Sequence, residues 1–346
     1  MTIDSHNKSA TAPVLLQADH VTKTFAPALG LGDHVAGWLG QTIDTRAVHA
    51  VDQVSLDLHK GEVLGLVGES GCGKSTFGRM LAGIIAPSRG TVMFEGKPVI
   101  EGSTKPIKTT TRIQMVFQDP FASLDPRIRI GDTISEGPLC HGLVEKANTR
   151  AYVTRWLEIV GLPQEAADKF PHQFSGGQRQ RVAIARALAM QPDILICDEP
   201  VASLDVSIQA QIINLFLELK HQLNLTMLFI SHDLGVVRHI SDRIAVMYLG
   251  RIVELGDTQS VYAKPEHPYT QALLDSVPKL VTQGDELVHF KAIEGELPSP
   301  LSPPQGCHFH VRCSYAKDKC KSQRPDLAMT ASNSNRNTAC FFPLKN

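Results

Sequence analysis

A glycine-rich segment carries the most specific chemistry in the sequence. Residues 68–76 read Gly-Glu-Ser-Gly-Cys-Gly-Lys-Ser-Thr and match the phosphate-loop pattern G-x-x-x-x-G-K-[ST]. The apolar run 63–67 precedes this segment, and the helical pattern 76–81 follows it. Glycines let the backbone wrap closely around phosphate oxygens, and successive N–H groups at a helix start attract anionic charge. The segment therefore predicts a nucleotide-phosphate site, and the alternative is a glycine-rich turn that matches the pattern by chance.

Individual residues of this segment have separate expected roles. Lys74 is expected to contact the β and γ phosphates, and the hydroxyl of Ser75 is expected to bind Mg²⁺. Cys72 is expected to be a small filler within the loop and not a catalytic thiol. The predicted nucleotide-binding residues of the loop are Gly68, Gly71, Cys72, Gly73, Lys74, Ser75 and Thr76.

Two adjacent carboxylates end a second apolar run. Residues 194–197 read Ile-Leu-Ile-Cys, and Asp198 and Glu199 follow them before a proline. Acidic side chains at the carboxyl end of a strand face the crevice where open α/β sheets bind their ligands. Asp198 is expected to hold Mg²⁺ directly or through water. Glu199 is expected to reach a water in line with the γ phosphate and to act on it as a general base or to orient it. The alternative is a strand-end acid pair that only precedes a turn.

These residues need a scaffold of alternating strands and helices. Short apolar runs typical of buried strands are separated by helical patterns, which predicts a mostly parallel α/β sheet. The predicted strands are 63–67, 113–117, 194–197, 227–230 and 244–248. Residues 125–190 lack such runs and contain the helical patterns 150–160 and 178–190, so a helical subdomain is expected there. The polar residues 1–13 are expected to form a flexible tail, and the glycine-rich residues 26–47 a long loop.

The composition excludes several classes of protein. The chain has 346 residues, 42% of them hydrophobic, which predicts about two domains at roughly 150 residues per domain. Its 34 Lys and Arg residues nearly balance its 35 Asp and Glu residues. The net charge of −1 argues against a strongly basic nucleic-acid binder and against charge-driven disorder. Because we find no apolar run of about 18 residues and no signal-peptide pattern, the protein is expected to stay in the cytoplasm.

Further motifs complete a recognisable set. They are Phe-Ser-Gly-Gly-Gln at 174–178, Gln118 and His232 after two of the apolar runs, Ser-Leu-Asp at 203–205, and Phe25 near the start. Together with the phosphate loop and the acid pair, this set resembles the ATP-binding subunit of an ABC transporter over residues 14–262, with the motifs in family order. The resemblance implies a P-loop NTPase (RecA-like) fold, namely an ABC ATP-binding cassette with a helical subdomain.

The resemblance assigns one group of residues to the ATP that this chain itself binds. Gln118 would sense the γ phosphate and Mg²⁺ and relay their state to membrane subunits, while His232 would contact the γ phosphate and position water and Glu199. Phe25 would stack on adenine, the alternative being a core aromatic on the first strand. A strand-end histidine without a catalytic role is the alternative for His232. The implied set is Lys74, Ser75, Gln118, Asp198, Glu199 and His232, of which Ser75, Gln118 and Asp198 serve Mg²⁺. Since Glu199 and His232 are both present, the site is expected to be competent for hydrolysis.

The same resemblance assigns a second group to the ATP of a partner subunit. In the family, two cassettes close head-to-tail on two nucleotides, so the signature of one faces the phosphate loop of the other. The residues implied to act in trans are Ser175, Gly176, Gly177, Gln178 and Asp205. The related peptide-transporter ATPases usually read Ser-Ala-Leu-Asp where this chain reads Ala-Ser-Leu-Asp at 202–205. That departure leaves a side-chain role for the first position in doubt, although Asp205 is intact.

Residues 263–346 resemble the C-terminal extension of the oligopeptide/dipeptide branch of the family. The segments that carry this resemblance are His-Pro-Tyr-Thr at 267–270 and Gly-Glu-Leu-Pro-Ser-Pro at 295–300. Phe-Pro-His-Gln at 170–173, before the signature, resembles the same branch. The resemblance implies a small irregular C-terminal domain. It also implies a second ATPase subunit, two permease subunits and an extracytoplasmic solute-binding protein as partners. The chain would then lie peripherally on the cytoplasmic face of the inner (plasma) membrane. The second ATPase is expected to be a distinct paralogue, and a second copy of this chain is the alternative.

Four of the seven cysteines lie in the last 40 residues, namely Cys307, Cys313, Cys320 and Cys340. A cytosolic chain seldom keeps disulfides, so a metal is the better explanation. The Cys-x2–4-Cys knuckle common in zinc sites is absent, and four thiolates on wide loops suit an iron–sulfur cluster. The branch resemblance implies a [4Fe–4S] cluster on these four residues, with zinc or free thiols that pack a small domain as alternatives. His308 and His310 could substitute as ligands, but they are expected to be exposed.

The expected function is ATP hydrolysis that drives uptake of dipeptides or oligopeptides across the cytoplasmic membrane. The same machinery could carry another cargo, such as a nickel chelate or a glycoside. A non-transport ABC ATPase acting on nucleic acid or ribosomes is a further alternative, which the single cassette and the neutral charge disfavour. A regulatory cassette that binds ATP without turnover is disfavoured by Glu199 and His232. The cargo is selected by the binding protein and the permeases, so this sequence does not specify it.

Overall fold

The computed structural model describes residues 12–26, 46–102, 105–277, 293–330 and 333–345. Nearly all of the predicted tail 1–13 and of the predicted loop 26–47 lies outside these described residues.

The described part of the chain contains a central sheet of eight strands. Its strand order is β13-β14-β12-β11-β3-β10-β9-β8. Five neighbours, β11, β3, β10, β9 and β8, run parallel, and the strands at the other edge pair antiparallel. The strands are β3 (Val63–Val67), β8 (Ile113–Val116), β9 (Ile194–Asp198), β10 (Thr226–Ile230), β11 (Arg243–Tyr248), β12 (Arg251–Asp257), β13 (Ala328–Thr330) and β14 (Asn333–Thr338). The five predicted strands are therefore confirmed, and they form the parallel part of the sheet.

A second, antiparallel sheet was not foreseen from the sequence. Its strand order is β2-β1-β4-β5, and a separate two-stranded ribbon pairs β6 with β7. These strands are β1 (Val14–Phe25), β2 (Val48–His59), β4 (Arg89–Phe94), β5 (Lys97–Pro98), β6 (Ile100–Glu101) and β7 (Ile107–Lys108). In β1 and β2, buried and exposed side chains largely alternate, as they do when one face of a sheet is packed and the other is wet. This sheet covers one face of the central sheet.

Helices fill the other layers. They are α1 (Lys74–Leu81), α2 (Pro120–Ser123), α3 (Ile130–Cys140), α4 (Thr149–Ile159), α5 (Gly176–Leu188), α6 (Val206–Leu223), α7 (Leu234–Ile240), α8 (Thr258–Ala263), α9 (Pro268–Asp275) and α10 (Asp318–Ser322). Between β8 and β9 the described chain is helical, with α3, α4 and α5 packed on one another. These helices lie within residues 125–190, where a helical subdomain is expected.

Two apolar clusters lie on opposite faces of the central sheet. Alternate residues of β3 show the division, because Leu64 and Leu66 face one cluster and Val63 and Val67 the other. The first cluster packs β1, β2, β4 and α1 against the sheet, and the second packs α3 to α7. The parallel strands are buried on both faces, which explains why they are continuous apolar runs in the sequence.

The C-terminal extension joins the central sheet of the cassette. Strand β14 pairs antiparallel with β12, and β13 pairs with β14. At this junction the guanidinium of Arg336 donates to the carboxylate of Glu254, and both side chains are almost completely buried. In the parts of the chain that the structure describes, no helix has both the length and the apolar composition needed to cross a bilayer.

Candidate functional site

Four loops converge at the carboxyl ends of four adjacent parallel strands. The phosphate loop 68–73 follows β3, His232 follows β10, Glu199 follows β9, and Gln118 follows β8. Because β3, β10, β9 and β8 are neighbours in the sheet, residues far apart in sequence meet at one edge. This edge is where open α/β sheets place their ligand sites.

The backbone of the phosphate loop requires glycine at two positions. Gly68 has a φ of +153°, and a Cβ there would lie 2.2 Å from the carbonyl oxygen of Met247. Gly73 has a φ of +106°, and a Cβ there would lie 2.1 Å from the carbonyl oxygen of Ala50. Any larger residue would collide with backbone at either position, so the loop is packed tightly against β2 and β11. Gly71, with a φ of +80°, has open space around it.

The loop leads directly into α1, whose N-terminus is open. Gly73 is the N-cap residue and provides no side-chain cap, so no side chain of the cap competes for the first amide groups of α1. The Nζ atom of Lys74 donates to the carbonyl oxygens of Gly68 (2.8 Å) and Glu69 (3.0 Å). The ammonium group is thereby held over the loop. The amide groups at the helix start and the ammonium group of Lys74 can together bind phosphate oxygens.

The remaining loop residues support this arrangement. Cys72 is buried beneath the loop, and burial raises the pKa of its thiol, so the group is not poised as a nucleophile. Ser75 and Thr76 are half-buried in the first turn of α1.

Ser75 and Asp198 form a pair of oxygen donors. The hydroxyl of Ser75 donates to Oδ1 of Asp198 over 2.8 Å, although the two residues lie on α1 and β9. Asp198 is almost completely buried, and this burial raises the pKa of its carboxyl group. Magnesium sites usually combine one or two protein oxygens with phosphate and water oxygens, and this pair fits that requirement.

Glu199 is the centre of a second polar group. Its Oε2 atom lies 3.2 Å from Nε2 of Gln118 and 3.1 Å from Nδ1 of His232. The carboxylate is mostly buried, whereas the imidazole is half exposed. Glu199 also has a φ of +46°, a left-handed conformation that is rare for residues other than glycine and that clusters at functional sites. The structure thus brings together the three residues predicted to be catalytic.

The signature residues lie at the start of α5. Ser175 is the N-cap residue, and its hydroxyl accepts from the backbone N–H of Gln178 (3.4 Å). The side-chain oxygen of Gln178 accepts in return from the backbone N–H of Ser175 (3.0 Å). These reciprocal bonds form a capping box that holds the helix start. Gly176 lies next to Leu204, and a Cβ on Gly177 would lie 2.5 Å from Cγ2 of Ile208, so α5 packs closely on α6.

An exposed surface surrounds this helix start. Asp205 is the N-cap residue of α6 and is exposed, as are Ser175 and Gln178. The next residue, Val206, is apolar and yet 83% exposed.

Phe25 ends β1 at the margin of the antiparallel sheet. Its side chain is 41% exposed, and the Nζ atom of Lys23 lies 5.3 Å from the centroid of its ring. An exposed aromatic face at this position is available for stacking. The alternative of a fully buried core aromatic does not describe Phe25.

The four late cysteines converge on one small cavity. Cys307, Cys313, Cys320 and Cys340 line it together with aromatic residues, among them Phe309, Tyr315, Phe341 and Phe342. Burial raises the pKa of the Cys340 thiol to about 11 and also raises the pKa values of Cys307 and Cys313. Within the described residues, no three His, Cys, Asp or Glu side chains are arranged to hold a metal ion.

The two histidines beside the first cysteine differ from the sequence-based expectation. His308 is only 6% exposed, and its Nε2 atom lies 3.2 Å from Nη2 of Arg324, so the expectation of an exposed side chain is wrong for this residue. His310 is partly buried, and its Nδ1 atom lies 2.8 Å from the carbonyl oxygen of Cys307. Both rings make protein contacts of their own.

Sequence reasoning missed two contacts to the phosphate loop. The guanidinium of Arg312 pairs with the carboxylate of Glu69, and the hydroxyl of Tyr269 accepts from the backbone N–H of Glu69. Both partners belong to the C-terminal extension, about 200 or more positions away in sequence. No local pattern signals contacts over such separations.

Two family descriptions match this chain. Residues 51–202 match "ABC transporter", and residues 253–320 match "Oligopeptide/dipeptide transporter, C-terminal region". The first match includes the phosphate loop, the signature and the acid pair.

Curated proteins and a solved structure are similar to most of the chain. The oligopeptide transport ATP-binding protein AppF of Bacillus subtilis is 48% identical over 325 residues, which cover 93% of this chain and 96% of AppF. The dipeptide transport ATP-binding protein DppF of Haemophilus influenzae is 45% identical over 302 residues, covering 87% and 91%. The structure of CbiO1 from Clostridium perfringens, described as part of the ABC transporter complex CbiONQ, matches with a TM-score of 0.58 and 28% identity. The aligned residues cover 72% of this chain and 91% of CbiO1.

Proposed function

The chain belongs to the ABC transporter family, in the branch with the oligopeptide/dipeptide C-terminal region, and we propose that it powers the import of peptides. It is an ATPase of this family. The observation that carries the proposal is the convergence of Gln118, Glu199 and His232 beside the Ser75–Asp198 pair at the end of the phosphate loop.

Hydrolysis of the γ phosphate needs a base, and Glu199 is the proposed one. Its carboxylate lies at the carboxyl end of β9, held between the amide of Gln118 and the ring of His232. A carboxylate in this position would accept a proton from the attacking water. His232, which is half exposed, would contact the γ phosphate and orient both the water and Glu199. Gln118 would respond to the presence of that phosphate.

The phosphates themselves would be held by the loop and by α1. The amide groups at the start of α1 and the ammonium group of Lys74 provide the positive potential. Ser75, Asp198 and Gln118 would hold Mg²⁺, which would neutralise charge on the phosphates. Phe25 would stack on the adenine ring.

The exposed start of α5 would act on the ATP of a second subunit. Ser175, Gly177 and Gln178 lie at a helix N-terminus that can bind anionic charge, and Asp205 and the exposed Val206 lie beside them. We propose that this surface closes on the phosphate loop of a partner cassette, which the branch resemblance makes a distinct paralogue rather than a second copy of this chain. Two permease subunits and an extracytoplasmic solute-binding protein would complete the assembly on the cytoplasmic face of the membrane.

Peptides are the proposed cargo because AppF and DppF, named for oligopeptide and dipeptide transport, align with nearly the whole chain. The test is uptake of labelled dipeptides and longer peptides by cells that carry or lack the gene for this chain. Peptide uptake lost on deletion, and restored by the wild-type gene but not by K74A, is the expected result. If deletion leaves peptide uptake unchanged but abolishes uptake of nickel or of a glycoside, the proposed peptide cargo is wrong. Binding to ribosomes or DNA without a membrane partner would overturn the transport function.

The four cysteines of the extension are proposed to hold a [4Fe–4S] cluster. Supporting this proposal, the four cysteines line one cavity, and the backbone N–H of Phe342 donates to Sγ of Cys340 (3.4 Å). The cysteines lack the Cys-x2–4-Cys knuckle common in zinc sites, and four thiolates on wide loops suit an iron–sulfur cluster better than a zinc ion. Iron analysis and visible absorbance of anaerobically purified protein test the proposal. Protein that contains zinc, or no metal, would overturn it.

A further inference from the structure

Glu69, the second residue of the phosphate loop, is held from three directions. Its backbone N–H donates to the hydroxyl of Tyr269 (2.9 Å), and its carbonyl oxygen accepts from Lys74 (3.0 Å). Its carboxylate accepts two hydrogen bonds from Arg312, 2.7 Å from Nη1 to Oε2 and 2.9 Å from Nη2 to Oε1. Tyr269 and Arg312 both belong to the C-terminal extension. The extension therefore fixes both the backbone and the side chain of a residue within the ATP-binding loop.

The ion pair between Arg312 and Glu69 has the geometry of a strong one. Two parallel N–H donors of the guanidinium meet both carboxylate oxygens, which fixes orientation as well as charge. The side chain of Arg312 is 4% exposed and that of Glu69 is 26% exposed, so solvent screens the pair only weakly. The pair therefore differs from fully exposed ion pairs, which contribute little to stability.

Arg312 is itself held in place by the extension and by the cassette. Its Nε atom donates to the carbonyl oxygen of Glu294 (3.2 Å), and its guanidinium carbon lies 6.0 Å from the centroid of the Tyr248 ring. The Tyr248 ring packs against those of Tyr269 (4.6 Å between centroids) and Phe309 (5.3 Å). This aromatic cluster joins β11 to the extension. The guanidinium therefore has a defined position relative to the phosphate loop.

Charge explains why the loop would need this arginine. ATP brings several negative charges to a loop whose own sequence includes the carboxylate of Glu69. An unpaired carboxylate there would repel the phosphates and would leave the loop backbone less constrained. When Glu69 is paired with Arg312, the two charges largely cancel, so the pair repels the nucleotide phosphates much less than an unpaired carboxylate would.

We propose that Arg312 is a positioning residue for ATP binding, which acts by neutralising and orienting Glu69 so that the phosphate loop accepts the triphosphate. The C-terminal extension thereby contributes to the nucleotide affinity of its own cassette. The proposal concerns the ATP site alone and does not depend on the cargo or on the state of the cysteines.

The test uses the full-length chain and a cycle of variants. Affinity for a non-hydrolysable ATP analogue with Mg²⁺ is measured by calorimetry, and kcat and KM for ATP by steady-state hydrolysis. In R312A we expect the dissociation constant of the analogue and the KM for ATP to rise about tenfold, because one nearby negative charge is left uncompensated. We expect a much smaller change in kcat. In the double variant E69Q/R312A both values should return to within about threefold of wild type, because the unpaired carboxylate is gone. R312K should be intermediate, since lysine restores the charge but not the two parallel bonds.

Arg324 supplies the matched control. It also joins the extension to the cassette through an ion pair, with Asp52 (3.0 Å), but it makes no contact with Glu69 in the described structure. We expect R324A to bind the analogue within about twofold of wild type. Equal weakening in R312A and R324A, or no recovery in E69Q/R312A, would overturn the proposal.

Thermal unfolding of each variant separates this role from a general loss of structure. If R312A alone fails to fold, the double variant still decides the question, because it lacks the arginine and the carboxylate together. Affinity within about threefold of wild type in E69Q/R312A supports the proposal, and a tenfold or greater loss there contradicts it.

Discussion

The amide nitrogen of Gln118 lies 3.2 Å from Oε2 of Glu199, although the two residues are 81 positions apart. Each follows the end of one of two neighbouring parallel strands, β8 and β9. A ligand that moves Gln118 therefore acts directly on the proposed base. This contact links the proposed sensing residue to the proposed base without any intermediate side chain.

Replacing the proposed base should stop hydrolysis and preserve binding. Glutamine in E199Q keeps the shape and hydrogen-bonding ability of the side chain but cannot accept the proton of the attacking water. We expect hydrolysis to fall about 100-fold or more, with ATP still bound and a closed dimer accumulating. Phosphate release and size-exclusion chromatography with ATP measure these effects. The exposed Glu158 on α4 offers a control, since E158Q should hydrolyse ATP normally. Hydrolysis near the wild-type rate in E199Q would show that Glu199 is not the base.

The signature serine should have two separable roles. Ser175 caps α5, and its exposed hydroxyl is proposed to face the partner's ATP. S175D keeps a capping acceptor but adds a negative charge, so stability should be retained while hydrolysis is lost. S175A removes the cap and should lower the free energy of unfolding by about 1 kcal/mol. Urea unfolding and ATPase assays separate the two. If S175D hydrolyses ATP normally, the hydroxyl does not face a phosphate.

The attachment of the extension should depend on one buried ion pair. Arg336 on β14 and Glu254 on β12 are almost fully buried, and their Nε and Oε1 atoms lie 2.9 Å apart. R336M would leave the carboxylate without its cation, at a cost of about 3 kcal/mol in the free energy of unfolding. The exposed pair of Lys321 and Asp318 is the control, because K321M should change stability by less than about 0.5 kcal/mol. Equal stability of R336M and K321M in urea would contradict this prediction.

Lys108 should make stability depend on pH above neutrality. Burial lowers the pKa of this lysine to about 8 from 10.5, and its Nζ atom donates to the carbonyl oxygen of Ile113 (2.6 Å). Between about pH 8 and 10.5 the unfolded chain binds this proton and the folded chain does not. Stability therefore rises with pH across that window, and the cost of charging the partly buried amine is fully present below it.

The substitution K108M should remove this cost and this pH dependence. At pH 7 we expect the free energy of unfolding to rise by about 1 to 2 kcal/mol, with a flatter profile up to pH 10. Urea unfolding at several pH values measures both effects. The exposed Lys97 on β5 provides the matched control, K97M, for which we expect no comparable gain. A less stable K108M at pH 7, or an unchanged slope, would contradict the prediction.

Short-range sequence patterns were sufficient to predict much of the fold and much of the candidate site. The apolar runs that became β3, β8, β9, β10 and β11 are visible in the sequence because strands buried on both faces must be continuously apolar. The antiparallel sheet was missed because its strands are buried on one face only, and their alternation is interrupted by register shifts in the pairing of β1 with β2. His308 was expected on the surface, but the tertiary structure buries it beside Arg324.

The sequence by itself determined which loop is proposed to bind phosphate and which side chains are proposed to act on it, because these assignments depend on residue types within a few positions of each other. Strand order was decided by the tertiary structure, and with it the meeting of Gln118, Glu199 and His232. The tertiary structure also decided that Arg312 reaches Glu69 across 243 positions. Such contacts depend on how the extension packs on the cassette, and no local periodicity encodes that packing.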